Sequence, residues 1–357
     1  MPTLLDTEIN DLVVSTLQEL DKPNFTQIAS RIQNYVFFNT ILREDKVVFT
    51  GGAGGFKTRV MVDHSNQAVM TGLYDTDDVD VTDVLKEISV PWRRTKVPYA
   101  YERREILENA GEGKLTDLLT IRRADALIAL AELLETQHWS KPTTSADELN
   151  VYGVPTWIVK WPTGTTTPGF TGTNPEGFTA GAGGLDSATY TRWANWAGRY
   201  TSVGKSDLIA KMRTAHRKIG FQSPIGVEQF RSGVGATYRL YTNEDVLNAI
   251  ELAAENQNEN LGSNIASMDG MTTFKGSAIV WVPKLDADTG NPVYMINSET
   301  FFPFCLSGDY LRESEPAKAA KQHNVWEVWI DMSWNEVCVN RRANAVLSTK
   351  SKTDTTT

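Results

Sequence analysis

The sequence predicts an α+β protein in which one long helix is accompanied by many strands. The chain has 357 residues, 41% of them hydrophobic, which suffices for two domains or for one domain with a large insertion. Residues 113–139 repeat apolar positions at spacings of three and four, the pattern of an amphipathic helix. Residues 46–104 instead alternate apolar and polar positions between Gly and Pro turns, which favours strands.

The helix over residues 113–139 is the element around which we expect the chain to be organised. No Gly or Pro follows Gly113 until Pro142, which ends the helical pattern. About 25 residues at 1.5 Å each give a rod of roughly 37 Å, along which other elements must pack. Charged residues, among them Arg122 and Asp125, interrupt the apolar stripe, so this helix does not span a membrane.

The N-terminal hundred residues predict segments that cannot bury their apolar faces alone. Short amphipathic helices are predicted over residues 7–20 and 25–34, followed by an apolar stretch over 35–42. Pro91 and Pro98 lie inside the strand pattern and demote it to an edge strand or a free-standing ribbon. We therefore expect a protruding hairpin that needs the body of this chain or a neighbouring chain.

Residues 140–200 form a segment rich in Gly, Thr and Pro, which predicts irregular surface structure. Within it, residues 154–161 predict one strand and residues 187–198 a helix. A second helix is predicted over residues 205–221.

The C-terminal part of the sequence predicts a mixed body of strands and helices. Residues 242–257 predict a helix, and residues 277–283 and 293–298 predict the two arms of one hairpin. Residues 325–339 predict a strand pair or one bent strand. The polar residues 349–357 predict a disordered tail.

Charge and cysteine content exclude several classes of protein. A net charge of −9 argues against broad nucleic-acid affinity, and any surface facing packaged nucleic acid would contact it weakly. The two cysteines, Cys305 and Cys338, predict no disulfide framework and a reducing cytoplasm. We find no secretory signal and no apolar run of membrane-helix length.

The motifs that come close to known catalytic or binding patterns are incomplete. Residues 51–58 and 198–206 resemble phosphate-binding loops, but the first has Phe56 in place of a Gly and the second has one residue too many. The acidic run that includes Asp80 and Asp83 lacks the Gly and Glu of a calcium loop. The histidines are scattered, and neither cysteine has a CxxC neighbour. The sequence therefore predicts no catalytic residue, no cofactor and no metal.

The order of these elements resembles that of the major capsid proteins of tailed bacteriophages, which have the Hong Kong 97 fold. The segments that carry the resemblance are the strands of residues 56–104, the long helix and the segment FFPFCLSGDYLRESEP with the strand VWEVWIDMSWNEVCV after it. The resemblance covers nearly the whole chain. It implies an N-terminal arm (1–45), an extended E-loop hairpin (46–104), a P-domain (105–220) with the spine helix 113–139, an A-domain (221–320) and closing P-domain strands (321–348), followed by the tail (349–357). The Gly/Thr-rich insert 140–200 within the P-domain is a departure from the general family pattern.

The resemblance also implies a function and partners. It implies a structural protein, not an enzyme, that assembles through pentamers and hexamers into an icosahedral phage head around double-stranded DNA. The chain would reside in the virion after assembly in the host cytoplasm, without contacting a membrane. Because the chain starts almost at the arm, the scaffolding protein would be separate or already removed. A portal is implied as well, while a decoration protein is left open.

Opposite charge runs on the predicted hairpin suggest how subunits contact one another. We expect intersubunit salt bridges between the acidic and the basic run. The acidic candidates are Asp75, Asp77 and Asp78, and the basic candidates are Arg93, Arg94 and Lys96. Reversing Arg93 and Arg94 to Glu would then impair assembly but not the folding of the monomer.

Two other functions remain open from the sequence. An encapsulin-like nanocompartment shell shares this fold and holds cargo enzymes instead of DNA. A nucleotide-dependent enzyme would use Lys57 or Lys205 of the two loop motifs.

Overall fold

The computed structural model describes ten stretches of the chain. These are residues 30–42, 47–52, 54–64, 68–73, 83–108, 118–165, 167–220, 238–255, 272–320 and 322–353. The helix predicted over residues 7–20 and the carboxylates Asp75, Asp77 and Asp78 lie outside them. Residues 30–34, the described part of the second predicted helix, are not helical.

The described helices are one long rod and several shorter segments. The α-helices are α1 (Arg103–Glu108), α2 (Leu118–His138), α3 (Val154–Trp157), α4 (Leu208–Ile219) and α5 (Glu244–Glu255). A π-helical turn covers Phe37–Ile41, and 3-10 turns cover Ala182–Gly184, Pro283–Ala287 and Arg341–Ala343. The helix predicted over residues 113–139 is present as α2, and residues 113–117 lie outside the described part.

A six-stranded sheet is built around its longest strand, β14. Its strands are β1 (Val48–Thr50), β4 (Arg93–Glu102), β11 (Phe301–Leu306), β12 (Arg312–Glu313), β13 (Ala317–Lys318) and β14 (Val325–Cys338). β4 pairs antiparallel along one side of β14, with Pro98 opposite Trp329, while β11, β12 and β13 pair with the other side. For residues 325–339 the sequence predicted either a strand pair or one bent strand, and the structure has one strand.

Helix α2 lies on this sheet because its apolar stripe matches the inward positions of β4 and β14. Leu130 and Leu134 are fully buried and pack in one cluster with Ile330, Met332 and Trp334 of β14. At about 25 cal/mol per Å² of buried apolar surface, each such leucine contributes roughly 2 kcal/mol.

A seven-stranded sheet forms the second layer. Its order is β5 (Gly169–Gly172), β6 (Asn195–Arg199), β15 (Ala345–Ser348), β10 (Val293–Asn297), β7 (Tyr238–Thr242), β9 (Ser277–Trp281) and β8 (Thr273–Phe274). Both arms of the predicted hairpin are therefore strands, but the prediction that they pair with each other is wrong. β7 lies between them, antiparallel to β10 and parallel to β9.

The two faces of this sheet pack against different partners. On β10, Val293 and Met295 contact α4 and α5, whereas Tyr294 and Ile296 point into the core shared with β11, β14 and Trp157. The alternation follows from the two-residue period of a strand. Both α4 and α5 consequently cover the same face of the sheet.

Two predictions for residues 140–200 are wrong. Residues 154–157 form the short helix α3 instead of a strand. Residues 187–194 form turns and residues 195–199 form β6, so the helix predicted over 187–198 is absent. β6 is a strand because it pairs parallel with β15, a partner about 150 residues away in the sequence. Local periodicity carries no information about such a partner.

A two-stranded ribbon, β2 (Phe56–Met61) with β3 (Leu85–Val90), accounts for part of the predicted hairpin. One side of the ribbon packs on the chain's own insert, with Ile88 and Val90 fully buried in the core that contains Trp157. Gly183 makes this contact possible: a Cβ there would lie 2.5 Å from the side chain of Ile88, and its φ of +69° favours glycine.

The first residues of the expected disordered tail are ordered by hydrogen bonds to the body. The Thr349 amide donates to the Gly290 carbonyl at 2.8 Å, and the Lys352 amide donates to the Trp161 carbonyl at 3.0 Å. Ser351 is fully buried. The prediction of disorder is therefore wrong for residues 349–353, and residues 354–357 lie outside the described part.

Candidate assembly surfaces

Arg93, predicted to form intersubunit salt bridges, is buried inside its own chain. Its side chain is 6% exposed. The guanidinium donates to the carbonyls of Asn150 at 2.9 Å, Trp92 at 3.3 Å and Asp147, and it lies over the ring of Tyr152. The hydrogen bonds of Arg93 therefore connect β4 to the insert, and its charge is not available to a neighbouring subunit.

Arg94 and Lys96 lie on the opposite side of β4 from Arg93 and are exposed. The Lys96 Nζ lies 5.4 Å from the centroid of the Trp329 ring on β14. Among the described residues, neither side chain forms an ion pair with a carboxylate. These two residues remain candidates for contacts with another subunit, and their predicted partners Asp75, Asp77 and Asp78 lie outside the described residues.

The free end of the ribbon carries an exposed apolar surface. Its side chains are Met61 (47% exposed), Val69 (74%), Met70 (97%), Leu73 (88%) and Leu85 (49%). We call these five residues the ribbon tip. Groups of exposed apolar side chains are typical of protein–protein contact sites, because water does not solvate them favourably.

The N-terminal arm is anchored to α2 by two glutamates of that helix. The Glu132 carboxylate accepts from the Arg31 amide at 2.9 Å and from the Tyr35 hydroxyl at 3.2 Å. The Glu135 carboxylate accepts from the Phe37 amide at 2.7 Å. The arm therefore meets the body through hydrogen bonds to buried or half-buried carboxylates as well as through apolar contacts.

Glu135 belongs to a fully buried cluster with His138 and Glu336, which we call the acid–histidine cluster. The Nδ1 of His138 lies 2.6 Å from Oε1 of Glu336, and its ring stacks on Phe37 at 4.5 Å between centroids. Burial raises the pKa of both glutamates, although the nearby His138 opposes the shift. Within the described residues, Nε2 of His138 and Oε2 of Glu336 have no hydrogen-bond partner.

Arg341 is a second buried charge, at the start of the turn after β14. Its guanidinium donates to the carbonyls of Trp157, Trp193, Gly172 and Thr173 at 2.7–3.0 Å and to Oδ1 of Asn195 at 3.3 Å. Burial lowers its pKa to about 10, so it stays protonated at neutral pH. Arg341 ties three separate parts of the insert to the C-terminal strands.

Sequence reasoning missed both the acid–histidine cluster and the buried Arg341. Glu135 and His138 stand on the apolar side of α2 at a spacing of three residues, and Glu336 stands in the apolar run of β14. For these three residues, a charged side chain within an otherwise apolar stripe was the signal that could have identified the cluster.

The two motifs that resemble phosphate loops lie in different local structures. Lys57 lies in β2 and pairs with Glu87 at 2.9 Å, so the described residues after it continue a strand and not a helix N-terminus. Lys205 lies exposed in the loop before α4. Within the described residues no three His, Cys, Asp or Glu side chains are placed to hold a metal ion, and no helix has the length and apolarity to cross a membrane.

Comparison with solved structures identifies the fold. Against the capsid protein of cyanophage A-1(L), the TM-score is 0.62 at 13% identity, and the match covers 94% of this chain and 99% of that one. Against the capsid of the empty GTA particle, the TM-score is 0.55 at 8% identity, with coverage of 93% and 94%.

A compartment shell is similar as well. Against the SrpI encapsulin of Synechococcus elongatus, the TM-score is 0.52 at 10% identity, and 99% of each chain is covered. No protein-family model and no curated protein matches the sequence. Near-complete coverage of both chains by a mixed α+β structure of this kind shows that the chain has the Hong Kong 97-type capsid fold.

Proposed function

We propose that this chain is the major shell protein of a tailed-phage head and assembles into an icosahedral container for double-stranded DNA. The observation that carries the proposal is the capsid match over 94% of this chain and 99% of the capsid chain. The match includes almost every residue of both chains. The fold therefore contains little structure besides that of a shell subunit. In this role the chain acts as a structural protein and not as an enzyme.

The ribbon tip supports the proposal independently of the comparison. Met70 and Leu73 are 97% and 88% exposed, so the free end of the ribbon contacts little of the described chain. A shell places such surfaces against neighbouring subunits and removes them from water. Modest contacts of this kind, repeated over many copies, stabilise a closed particle.

Negative-stain electron microscopy of the chain, expressed alone and with its genomic neighbours, tests the proposal. We expect closed, roughly icosahedral particles in at least one condition. The double variant Met70→Asp/Leu73→Asp keeps the buried face of the ribbon and is expected to give soluble subunits without particles. A uniform monomer in every condition would contradict the shell function.

An encapsulin-like compartment is the second candidate, because the encapsulin match spans 99% of both chains. The two functions differ in content and neighbours. A co-purifying cargo enzyme would favour the compartment. Packaged DNA, together with terminase and portal genes nearby, would favour the phage head.

The proposal includes partners that follow from the phage function. The chain forms pentamers and hexamers, is assembled in the host cytoplasm with a separate scaffolding protein and a portal, and ends in the virion. Its net charge of −9 supports only weak contact with the packaged DNA.

A further inference from the structure

Helices α4 and α5, which cover the same face of the seven-stranded sheet, carry opposite charges. The Lys and Arg residues of α4 are Lys211, Arg213, Arg217 and Lys218, and the helix contains no Asp or Glu. The acidic residues of α5 are Glu244, Asp245, Glu251 and Glu255, and it contains no Lys or Arg. In a chain that is acidic as a whole, this segregation separates a positive surface from a negative one.

The basic face consists of Arg213, Arg217 and Lys218, which are exposed on the outer side of α4. In the stretches that the structure describes, none of the three forms an ion pair with a carboxylate. Lys211 differs, because its Nζ pairs with Asp207 at 2.5 Å. Among the described residues, these three cations are therefore free of ion pairs.

The acidic face consists of Glu244, Asp245 and Asp286, which are exposed at the start of α5. Asp286 accepts from the Glu244 amide at 2.8 Å and from the Trp281 indole at 3.0 Å, which holds its carboxylate at this place. None of the three pairs with a Lys or Arg of the described residues.

The two faces lie at opposite ends of β7. The end of α4 contacts the start of this strand, where the Tyr238 hydroxyl donates to the Ile219 carbonyl at 2.9 Å. Helix α5 starts immediately after the other end of the strand, Thr242. Four steps of about 3.3 Å separate the two ends of the strand by roughly 13 Å, and among the described residues no ion pair joins the two faces of one chain.

We propose that the basic face of one subunit docks on the acidic face of the next copy of this chain. The faces are complementary in charge and differ from each other, so the contact is head-to-tail and leaves one free face of each kind on every pair. Repetition of such a contact forms a ring when the rotation between neighbouring subunits closes, which is the arrangement that pentamers and hexamers require. This inference rests on the proposed shell function and assigns residues to its subunit contact.

Charge reversal and charge exchange test the contact in the full chain. The variants Arg213→Glu/Arg217→Glu and Glu244→Lys/Asp245→Lys are each expected to lower particle yield at least tenfold. The quadruple variant restores opposite charges and is expected to recover the yield to within about threefold of the unaltered chain. Arg213→Lys/Arg217→Lys, which keeps both charges, is the matched control and is expected to assemble normally.

The readouts are particle yield by sedimentation and electron microscopy, with circular dichroism to verify that each unassembled variant is folded. Normal particle yield from either double reversal, or no recovery in the quadruple variant, would overturn the inference while leaving the shell function intact. Normal particles that lose retention of a double-stranded DNA fragment only in Arg213→Glu/Arg217→Glu would also overturn it and assign the basic face to DNA. Absence of particles from the unaltered chain would instead contradict the shell function.

Discussion

Glu336 and Arg341 lie on either side of the end of β14, and both are fully buried. They differ in how completely their polar atoms are hydrogen-bonded. Arg341 donates five hydrogen bonds to oxygens of the insert, and among the described residues no carboxylate pairs with it. Glu336 shares a site with a second glutamate and one histidine, and one of its oxygens has no partner among the described residues. A buried charge with all its hydrogen bonds made stabilises one arrangement of the chain. The stability contributed by a buried charge with unmade hydrogen bonds depends on its protonation.

The largest effect is expected at Arg341. Replacing it with Met leaves at least four carbonyls without their donor in a site closed to water, so we expect a loss on the order of 4 kcal/mol in unfolding free energy. Denaturant unfolding of the unassembled chain measures this loss. Arg342→Met is the control: Arg342 is half-buried over the Phe170 ring, and its replacement is expected to cost about 1 kcal/mol or less. Equal losses in the two variants would show that the buried hydrogen bonds of Arg341 are not what stabilises the insert.

The next largest effect is expected in the acid–histidine cluster. His138→Ala removes the ring stacked on Phe37 and leaves Glu336 without its partner, so we expect a loss of about 3 kcal/mol. Because Phe37 also bonds to Glu135, limited proteolysis should show earlier cleavage in the N-terminal arm. His323→Ala, at an exposed position, is expected to stay within about 0.5 kcal/mol of the unaltered chain. A His138→Ala chain as stable as this control would mean that the cluster contributes nothing to holding the arm.

The order of elements was predictable from the sequence because most elements carry local periodicity. The apolar spacing of α2, α4 and α5 and the length of β14 follow from such patterns. The hairpin predicted over 277–298 failed because β7 inserts between its two arms. Residues 195–199 became a strand because of a distant partner, β15. Pairing between remote strands is decided by the packing of the whole sheet and not by neighbouring residues.

The residues predicted to form subunit contacts also show which features follow from neighbouring residues and which depend on distant parts of the chain. Alternation along a strand already places Arg93 and Arg94 on opposite faces of β4, so both could not have faced a neighbour. What the sequence could not reveal is that Asn150 and Asp147 of the insert supply carbonyls to Arg93. The same reason explains why Arg341 was overlooked, because its acceptors lie 146 to 184 residues earlier in the chain.

Arg93 extends the comparison to a buried cation with fewer hydrogen bonds than Arg341. Arg93→Met removes donors from three carbonyls near the surface, and we expect a loss of about 2 kcal/mol in unfolding free energy. The neighbouring Arg94→Met, on the exposed face, is expected to change it by no more than about 0.5 kcal/mol. Unfolding curves of both variants measure the difference. If Arg93→Met costs as little as Arg94→Met, the number of buried hydrogen bonds does not determine what such a cation contributes.

The smallest effect at neutral pH, and the most informative about protonation, is expected for Glu336→Gln. Burial raises the folded-state pKa of Glu336 above that of the unfolded chain, so folding favours the protonated acid. The stability that this group contributes is complete below the unfolded-state pKa and is lost as pH rises through the folded-state pKa. Gln keeps an acceptor for His138 but carries no charge at any pH, so we expect a stability at pH 7 that is equal or slightly higher and a weaker fall above about pH 4.5. Urea unfolding from pH 4.5 to 8 measures the slope, with the exposed Glu148→Gln as control. A slope as steep as that of the unaltered chain would mean that Glu336 is ionised in the fold, with His138 supplying the compensating charge.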